Sequence, residues 1–177
     1  MNKINIDGVL IVEGKDDVSY LSSFISTLFF TTNGYDVSNE KLEFLERAAK
    51  VNRIIVLTDN DNAGKEIENR IKTKINGVFV RKSKKITRKV TKKSGVAETC
   101  EDAIVDALSD FIEQDNGQFK RIDYNLNSII SLSKNPAKVK MDIIKDYRLI
   151  NGNIKFLQNQ LQMLKINPKE IESKYGN

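Results

Sequence analysis

Two stretches of the chain decide its fold: residues 8–17, which read GVLIVEGKDD, and residues 53–64, which read RIIVLTDNDNAG. Each stretch begins with a short, apolar and largely β-branched run, which is typical of a buried strand. Acidic residues follow each run, and such residues favour the beginning of a helix. A buried strand that passes directly into a helix, and does so twice, predicts a parallel sheet covered by helices.

The same alternation continues through the first two thirds of the chain. The predicted strands are residues 8–12, 30–32, 53–57 and 78–80, and the predicted helices are residues 18–29, 41–51, 63–75 and 101–112. From residue 125 onward the patterns are helical, at residues 125–132, 137–147 and 153–165, with a short tail after Pro168. The sequence therefore predicts an α/β domain over residues 1–117 and a small helical domain over residues 118–177.

Residue composition excludes several kinds of chemistry. The 177 residues include no histidine and one cysteine, Cys100. A histidine-dependent triad, a multi-cysteine zinc site and a disulfide framework are therefore impossible. No apolar run approaches the roughly 18 residues of a membrane helix, and the first one ends at Glu13, unlike a signal peptide. We expect a cytoplasmic protein without membrane contact, whose chemistry relies on side chains such as carboxylates or on a metal ion with oxygen ligands.

Positive charge is concentrated in residues 81–93, called the basic segment below, which read RKSKKITRKVTKK. This segment has eight basic residues and no acidic one, whereas the whole chain has a net charge of only +5. Such a run is either a solvated loop or an arm that contacts nucleic-acid phosphates. Because it contains no aromatic residue, base stacking is not expected there. The predicted RNA-binding residues are Arg81, Lys82, Lys84, Lys85, Arg88, Lys89, Lys92 and Lys93, with Lys138 and Lys140 from the helical domain.

Three acidic residues stand where a parallel sheet places its functional sites. Glu13 follows the first strand, and Asp59 and Asp61 follow the strand at residues 53–57. Because such sites form beyond the carboxyl ends of the strands, we expect these side chains to meet. Carboxylate oxygens suit Mg²⁺, and two such ions can drive phosphodiester hydrolysis without histidine. We predict all three as catalytic metal ligands; the alternatives are turn or cap roles for the aspartates and a general-base role for Glu13.

The motifs around these carboxylates resemble the Toprim family. They are IVEGKDD at residues 11–17, TNG at residues 32–34 and LTDNDNAG at residues 57–64. The resemblance implies a Toprim-like parallel sheet flanked by helices, in which a glutamate and an Asp-x-Asp pair together bind Mg²⁺. On this chain the matching positions are Glu13, Asp59 and Asp61.

Most of the chain resembles one branch of that family more closely, the ribonuclease M5 family of 5S ribosomal RNA maturases. The added similarities are the lysine-rich segment that leads into Gly95 and Val96, and the helical domain with NGNIKF at residues 151–156 and LQM at residues 161–163. The resemblance implies an endoribonuclease that cleaves a structured 5S ribosomal RNA precursor, with a ribosomal protein that binds 5S ribosomal RNA as its partner. We expect a monomer, in which residues 118–177 bind RNA and select the substrate.

The chain departs from the ribonuclease M5 pattern at two places. Asn60 stands where the family usually has proline, and residues 97–99 read Ala-Glu-Thr where it usually has Glu-His-Ala. Glu98 lies one position after the family glutamate and is a candidate for a further metal ligand. Asp17 is another candidate, either as a ligand through water or as a helix cap, and the cap is favoured. Two other functions stay open: a Toprim enzyme acting on DNA, primase-like or a repair nuclease, and a non-catalytic RNA-binding assembly module.

Overall fold

The computed structural model describes residues 3–34, 37–82, 95–113 and 119–176. The chain forms two compact units, Met1–Phe119 and Lys120–Asn177. The predicted boundary at residue 117 falls within residues 114–118, which lie outside the described ranges. A catalytic role for the first unit and a substrate-selecting role for the second remain predictions.

The first unit is built on a four-stranded parallel sheet. Its strands are β1 (Ile4–Val12), β2 (Ile25–Thr31), β3 (Ile54–Leu57) and β4 (Phe79–Arg81), in the order β2-β1-β3-β4. The helices of this unit are α1 (Lys15–Leu21), α2 (Asn39–Ala48), α3 (Asn62–Lys74) and α4 (Glu101–Ala107), with 3-10 helices at Val96–Glu98 and Ser109–Phe111. The predicted fold class, an α/β parallel sheet flanked by helices with helices at the C-terminal end, is confirmed.

The central strands β1 and β3 carry the core of the first unit. Residues 9–12 and 54–57 are all buried, because other elements cover both faces of the sheet. One face packs against an apolar cluster that includes Ile104 and Phe111. Because β1 and β3 pair in parallel, the residues that follow these two strands leave the sheet at the same edge.

One predicted helix is wrong over most of its length. α1 ends at Leu21, and Ile25–Thr31, predicted mostly as helix, forms strand β2. This strand pairs in parallel with β1, and its residues 27–30 are buried one after another. Strand pairing satisfies the backbone while both faces are buried, which outweighs the helical spacing of the apolar residues. The helix predicted at residues 101–112 is likewise shorter and ends at Ala107.

The second unit contains α5 (Leu126–Ser131), α6 (Pro136–Asp146), α7 (Ile154–Met163) and α8 (Pro168–Tyr175), close to the predicted helical segments. Its NGNIKF motif has a structural role, because Asn153 caps α7 by accepting a hydrogen bond from the Phe156 N–H at 2.9 Å. The fully buried Gln160 binds the backbone N–H and carbonyl of Ile150, at 2.7 and 2.8 Å. These bonds fasten the loop before α7 to that helix, since buried backbone groups need partners.

The helices of the described ranges are too short or too polar to cross a membrane. The longest of them, α3, has 13 residues. A membrane helix needs about 20, most of them apolar.

Candidate active site

The acidic residues predicted from the sequence surround one cleft at the carboxyl ends of the strands, called the acidic cleft below. Glu13 follows β1 directly, and Asp59 and Asp61 lie between β3 and α3. The cleft has a volume of about 720 Å³ and is lined by Glu13, Gly14, Lys15, Asp16, Asp17, Asn33, Gly34, Asp59, Asp61, Gly95, Ala97 and Glu98. The structure therefore brings the five predicted metal-ligand candidates to the same cleft.

A chain of hydrogen bonds to the backbone holds the carboxylates of Glu13 and Asp59. Glu13 Oε1 accepts a bond from the Asp59 N–H at 2.9 Å. Asp59 Oδ1 accepts one from the Val96 N–H at 2.7 Å. These bonds connect β1 to the loop after β3, and that loop to the 3-10 helix Val96–Glu98. Each bond uses one carboxylate oxygen, so the other oxygen can bind a cation.

Two further carboxylates of the cleft are helix caps. Asp17 Oδ2 accepts a hydrogen bond from the Gly14 N–H at 2.9 Å, at the start of α1. Glu98 Oε2 accepts one from the Gly95 N–H at 3.1 Å, at the start of its 3-10 helix. The cap favoured for Asp17 is thus present in the structure. A cap still leaves the second oxygen of each carboxylate able to bind an ion.

Two glycines let the backbone come close to these carboxylates. A Cβ on Gly64 would lie 2.2 Å from the backbone carbonyl oxygen of Asp59. The Gly64 N–H also donates a hydrogen bond to Asp61 Oδ1 at 2.8 Å. A Cβ on Gly95 would lie 2.6 Å from Glu98 Oε2 and 3.0 Å from Asp59 Oδ2. A side chain at either position would therefore displace the loop between β3 and α3 or push Asp59 and Glu98 apart.

Burial raises the pKa of three carboxyl groups in the cleft, those of Glu13, Asp17 and Asp59. Hydrogen bonds from the backbone act in the opposite direction, and repulsion by neighbouring carboxylates, including Asp61 and Glu98, raises these pKa values further. The cleft therefore holds negative charge that the fold does not fully neutralise. A bound cation would relieve the repulsion and lower these pKa values.

The chemistry of the lining residues fits a hard divalent cation. Its acidic side chains offer carboxylate oxygens, which Mg²⁺ prefers, and no cysteine or histidine is among the lining residues. Within the described ranges, no three acidic or cysteine side chains are arranged to hold one ion as they stand. Ion binding therefore requires that carboxylate oxygens turn toward a common point.

The structure describes only the beginning of the basic segment. There Arg81 pairs with Asp110 at 2.7 Å, and Lys82 pairs with Glu68 at 3.1 Å. In the second unit, Lys138 is exposed and Lys140 is half-buried on α6. RNA contact by any of these residues stays a prediction. The remaining predicted RNA-binding residues lie outside the described ranges: Lys84, Lys85, Arg88, Lys89, Lys92 and Lys93.

Sequence reasoning missed several contributors to the cleft, among them Asp16, which adds a further carboxylate to the lining. Lys15 lines it and adds a positive charge. Asn33 donates its N–H to the Glu13 carbonyl oxygen at 2.9 Å, which holds the TNG turn beside the acidic residue. Val96 supplies the N–H that binds Asp59. Lys15, Asn33 and Val96 all stand in motifs noted in the sequence, but the role of Val96 as a backbone donor leaves no trace in residue type.

Comparison with known proteins assigns this arrangement to a class. A Toprim-like domain family matches residues 10–94. The matched range contains the ends of β1 and β3 and the carboxylates of Glu13, Asp59 and Asp61 that follow them. The first unit therefore contains a Toprim-like domain, with the acidic cleft at the carboxyl ends of its strands.

Several ribonucleases M5 are similar to most of the chain. The ribonuclease M5 of Mycoplasma mycoides is 34% identical over 76% of this chain and 78% of its own length. That of Mycoplasma genitalium is 26% identical over 96% of this chain and 94% of its own, and that of Borreliella burgdorferi is 24% identical over 95% and 92%. The chain belongs to the ribonuclease M5 family. This confirms the predictions that the chain belongs to this family and that it is an endoribonuclease.

Asp59→Asn removes one charge from the cleft and keeps a side-chain oxygen that can accept the Val96 N–H. A raised pKa means that the folded state binds protons more readily than the unfolded state. The contribution of Asp59 to the free energy of unfolding therefore falls as pH rises from its ordinary pKa of 3.8 through the raised value. At neutral pH without metal, we therefore expect the variant to be more stable than the natural chain. Below pH 3.8 the difference should vanish. Urea unfolding at several pH values in EDTA measures this.

The control for Asp59→Asn is Asp7→Asn, which removes an exposed carboxylate paired with Arg53 at 3.0 Å. Its free energy of unfolding should change by about 1 kcal/mol or less. Adding Mg²⁺ should reverse the order of the natural chain and Asp59→Asn, since the ion stabilises the intact cluster. A natural chain that is more stable than Asp59→Asn in EDTA at neutral pH would contradict the charge argument.

Gly64→Ala places a Cβ 2.2 Å from the Asp59 carbonyl oxygen and so moves the loop that carries Asp59 and Asp61. Displaced carboxylates should bind Mg²⁺ less tightly, so we expect the rise in melting temperature on adding Mg²⁺ to be lost. Gly14→Ala is the matched control, because its Cβ meets nothing closer than Asp17 Oδ2 at 3.7 Å. Equal Mg²⁺ stabilisation of both variants would disprove the role assigned to Gly64.

Proposed function

We propose that this protein is a Mg²⁺-dependent endoribonuclease that cleaves a structured precursor of 5S ribosomal RNA. The observation that carries the proposal is the acidic cleft, in which carboxylates from separate parts of the first unit meet at the ends of parallel strands. The ribonuclease M5 relatives support an RNA substrate by their name. The motifs that resemble 5S ribosomal RNA maturases support the particular precursor.

Glu13, Asp59 and Asp61 are the proposed metal ligands, for two Mg²⁺ ions, and Asp17 and Glu98 are further ligands. One oxygen of each carboxylate is fixed by a backbone N–H, which limits how the other oxygen can turn. When bound, the ions supply the charge that activates an attacking water and stabilises the leaving oxygen of the phosphodiester. The alternative role proposed for Glu13 is that of a general base, which accepts a proton from that water.

Positive charge on both units is proposed to hold the RNA. The eight basic residues of the basic segment suit contacts with the phosphates of a folded duplex, read by shape more than by base sequence. Lys15 lines the acidic cleft and can contact a phosphate that enters it. Arg81 and Lys82 are already paired within the fold, so we assign most of the affinity to the basic residues that follow them.

The second unit is proposed to select the precursor rather than to take part in the chemistry. The carboxylates of the acidic cleft all belong to the first unit. Lys138 and Lys140 on α6 offer phosphate contacts. A ribosomal protein that binds 5S ribosomal RNA is the proposed partner, and the enzyme acts as a monomer in the cytoplasm.

Neutralising the proposed ligands tests the reaction. Glu13→Gln, Asp59→Asn and Asp61→Asn should each slow cleavage of purified 5S precursor RNA by at least about 100-fold, because each removes charge stabilisation from the transition state. RNA binding should stay nearly unchanged, since these residues do not hold the RNA. Cleavage is followed on gels with Mg²⁺ or EDTA, and RNA affinity by filter binding.

The control variant for cleavage is Asp7→Asn, whose exposed carboxylate stands on β1 away from the cleft lining. It should cleave like the natural chain. The same assay with a DNA duplex, and with and without the ribosomal protein, separates the alternatives. Preferred cleavage of DNA would favour another Toprim activity, and RNA binding without any cleavage would favour an assembly module. Full activity of Asp59→Asn would refute the proposed site.

The basic segment is tested by replacing Lys84, Lys85, Lys92 and Lys93 with glutamine. Each lost phosphate contact should reduce the slope of log RNA affinity against log salt concentration by roughly 0.7–0.9, so four lost contacts should reduce this slope by about 3. The cleavage rate at saturating RNA and the cleaved position should change little, because phosphate contacts carry affinity without sequence information.

The matched control for the basic segment replaces four exposed lysines elsewhere in the first unit, Lys50, Lys65, Lys72 and Lys74, with glutamine. The net charge changes equally, but the salt slope should stay as in the natural chain. If both quadruple variants lower this slope equally, RNA affinity depends on the net charge of the protein alone. An unchanged slope in the basic-segment variant would move RNA binding to the lysines of the second unit.

A further inference from the structure

Glu68 is a buried carboxylate outside the acidic cleft. It lies on α3 with 6% of its surface exposed, although charged residues are seldom buried without a partner. Its Oε1 accepts a hydrogen bond from the Thr58 hydroxyl at 2.7 Å and lies 3.1 Å from the Lys82 ammonium. One carboxylate oxygen thus joins three elements of the first unit.

The two partners of Glu68 follow neighbouring strands. β3 and β4 pair in parallel, and Leu57 stands opposite Arg81 at their ends. Thr58 and Lys82 are the next residues of each strand, so they leave the sheet side by side. Thr58 immediately precedes Asp59 of the acidic cleft, and Lys82 is the last described residue before the rest of the basic segment.

The end of β4 is also fastened on the opposite face of the sheet. There Arg81 pairs with Asp110 at 2.7 Å and lies over the ring of Phe111, 4.8 Å from its centre. Successive residues of a strand point to opposite faces, which explains why Arg81 and Lys82 find different partners. The point from which the basic segment continues is therefore fixed from both sides.

We propose that Glu68 is a positioning residue of the ribonuclease, which ties the start of the Asp59–Asn60–Asp61 loop, through Thr58, to the start of the basic segment, through Lys82. The second half of this statement rests on the proposed RNA-binding function of the basic segment. An apolar side chain of similar size would satisfy the core at least as well as a buried ion pair does. A carboxylate at this position is explained by the two groups that it holds in place.

Amide hydrogen exchange in the metal-free full chain tests the positioning role without RNA or Mg²⁺. The Asp59 N–H, bonded to Glu13 Oε1 at 2.9 Å, reports on the loop. Lys82→Met, Glu68→Leu and Thr58→Val should each speed its exchange by about tenfold, because the loop opens more often. Thr58→Ser, which keeps the hydroxyl, should exchange the Asp59 amide as slowly as the natural chain does. Lys74→Met is the matched control, since Lys74 pairs with Glu46 at 3.7 Å in an exposed position.

The exchange of other amides separates positioning from general stability. Faster exchange at Asp59 with unchanged exchange at Ile55 and Val56, in the middle of β3, supports the proposal. Equal acceleration at all three amides would show that Glu68 only stabilises the fold. No acceleration at Asp59 would overturn the proposal directly.

Kinetics with precursor RNA test whether Lys82 acts through Glu68. If it does, Lys82→Met and Thr58→Val should each lower kcat by about tenfold, and the double variant should be no worse than either one. If Lys82 contacts RNA directly, Lys82→Met should raise KM instead, and its effect should add to that of Thr58→Val. This second result would overturn the role of Lys82. A natural chain that cleaves no RNA would refute the proposed function, while the exchange experiment would still decide the role of Glu68.

Discussion

Repulsion among carboxylates in a partly buried cleft is the constraint on which the rest of the site depends. Six acidic side chains line one cleft, and burial and proximity raise the pKa of three of them, Glu13, Asp17 and Asp59. Such an arrangement costs folding stability at neutral pH unless a cation enters it. The fold holds five of these carboxylates, Glu13, Asp17, Asp59, Asp61 and Glu98, by giving each a hydrogen bond from a backbone N–H. The protein thus holds a negatively charged site that favours a counter-ion, toward which the carboxylate oxygens would have to turn.

The parallel sheet brings these carboxylates together, because the strands that precede them are neighbours in it. β1 and β3 are adjacent and buried on both faces, so the residues after them emerge together. Gly64 and Gly95 then let the backbone approach closely, because a Cβ at either position would meet an atom of Asp59. The hydrogen bond from Val96 to Asp59 brings in a third part of the chain, whose Glu98 completes the acidic lining. The packing that forms the core of the first unit therefore also places the residues of the acidic cleft.

The sequence predicted those features that depend on local pattern. Glu13, Asp59 and Asp61 could be found because buried strands end just before them and parallel strands share a carboxyl edge. Only the last two residues of β2 fall in the strand predicted at residues 30–32, since Phe24, Ile25 and Leu28 have helical spacing, and only pairing with β1 makes residues 25–31 a strand. The hydrogen-bond and ion-pair partners of Glu68 and Asp59 could not be predicted from the sequence, because these contacts join residues distant in the chain.

The central claim is that the acidic cleft binds the catalytic cations. Crystals soaked in Mn²⁺, a Mg²⁺ substitute that scatters X-rays anomalously, test it most directly. We predict anomalous peaks in the acidic cleft, within coordination distance of oxygens from Glu13, Asp59 and Asp61, and no such peaks in crystals of Asp59→Asn. Peaks only elsewhere in the protein, together with full RNA cleavage by the Asp59→Asn variant, would contradict the account.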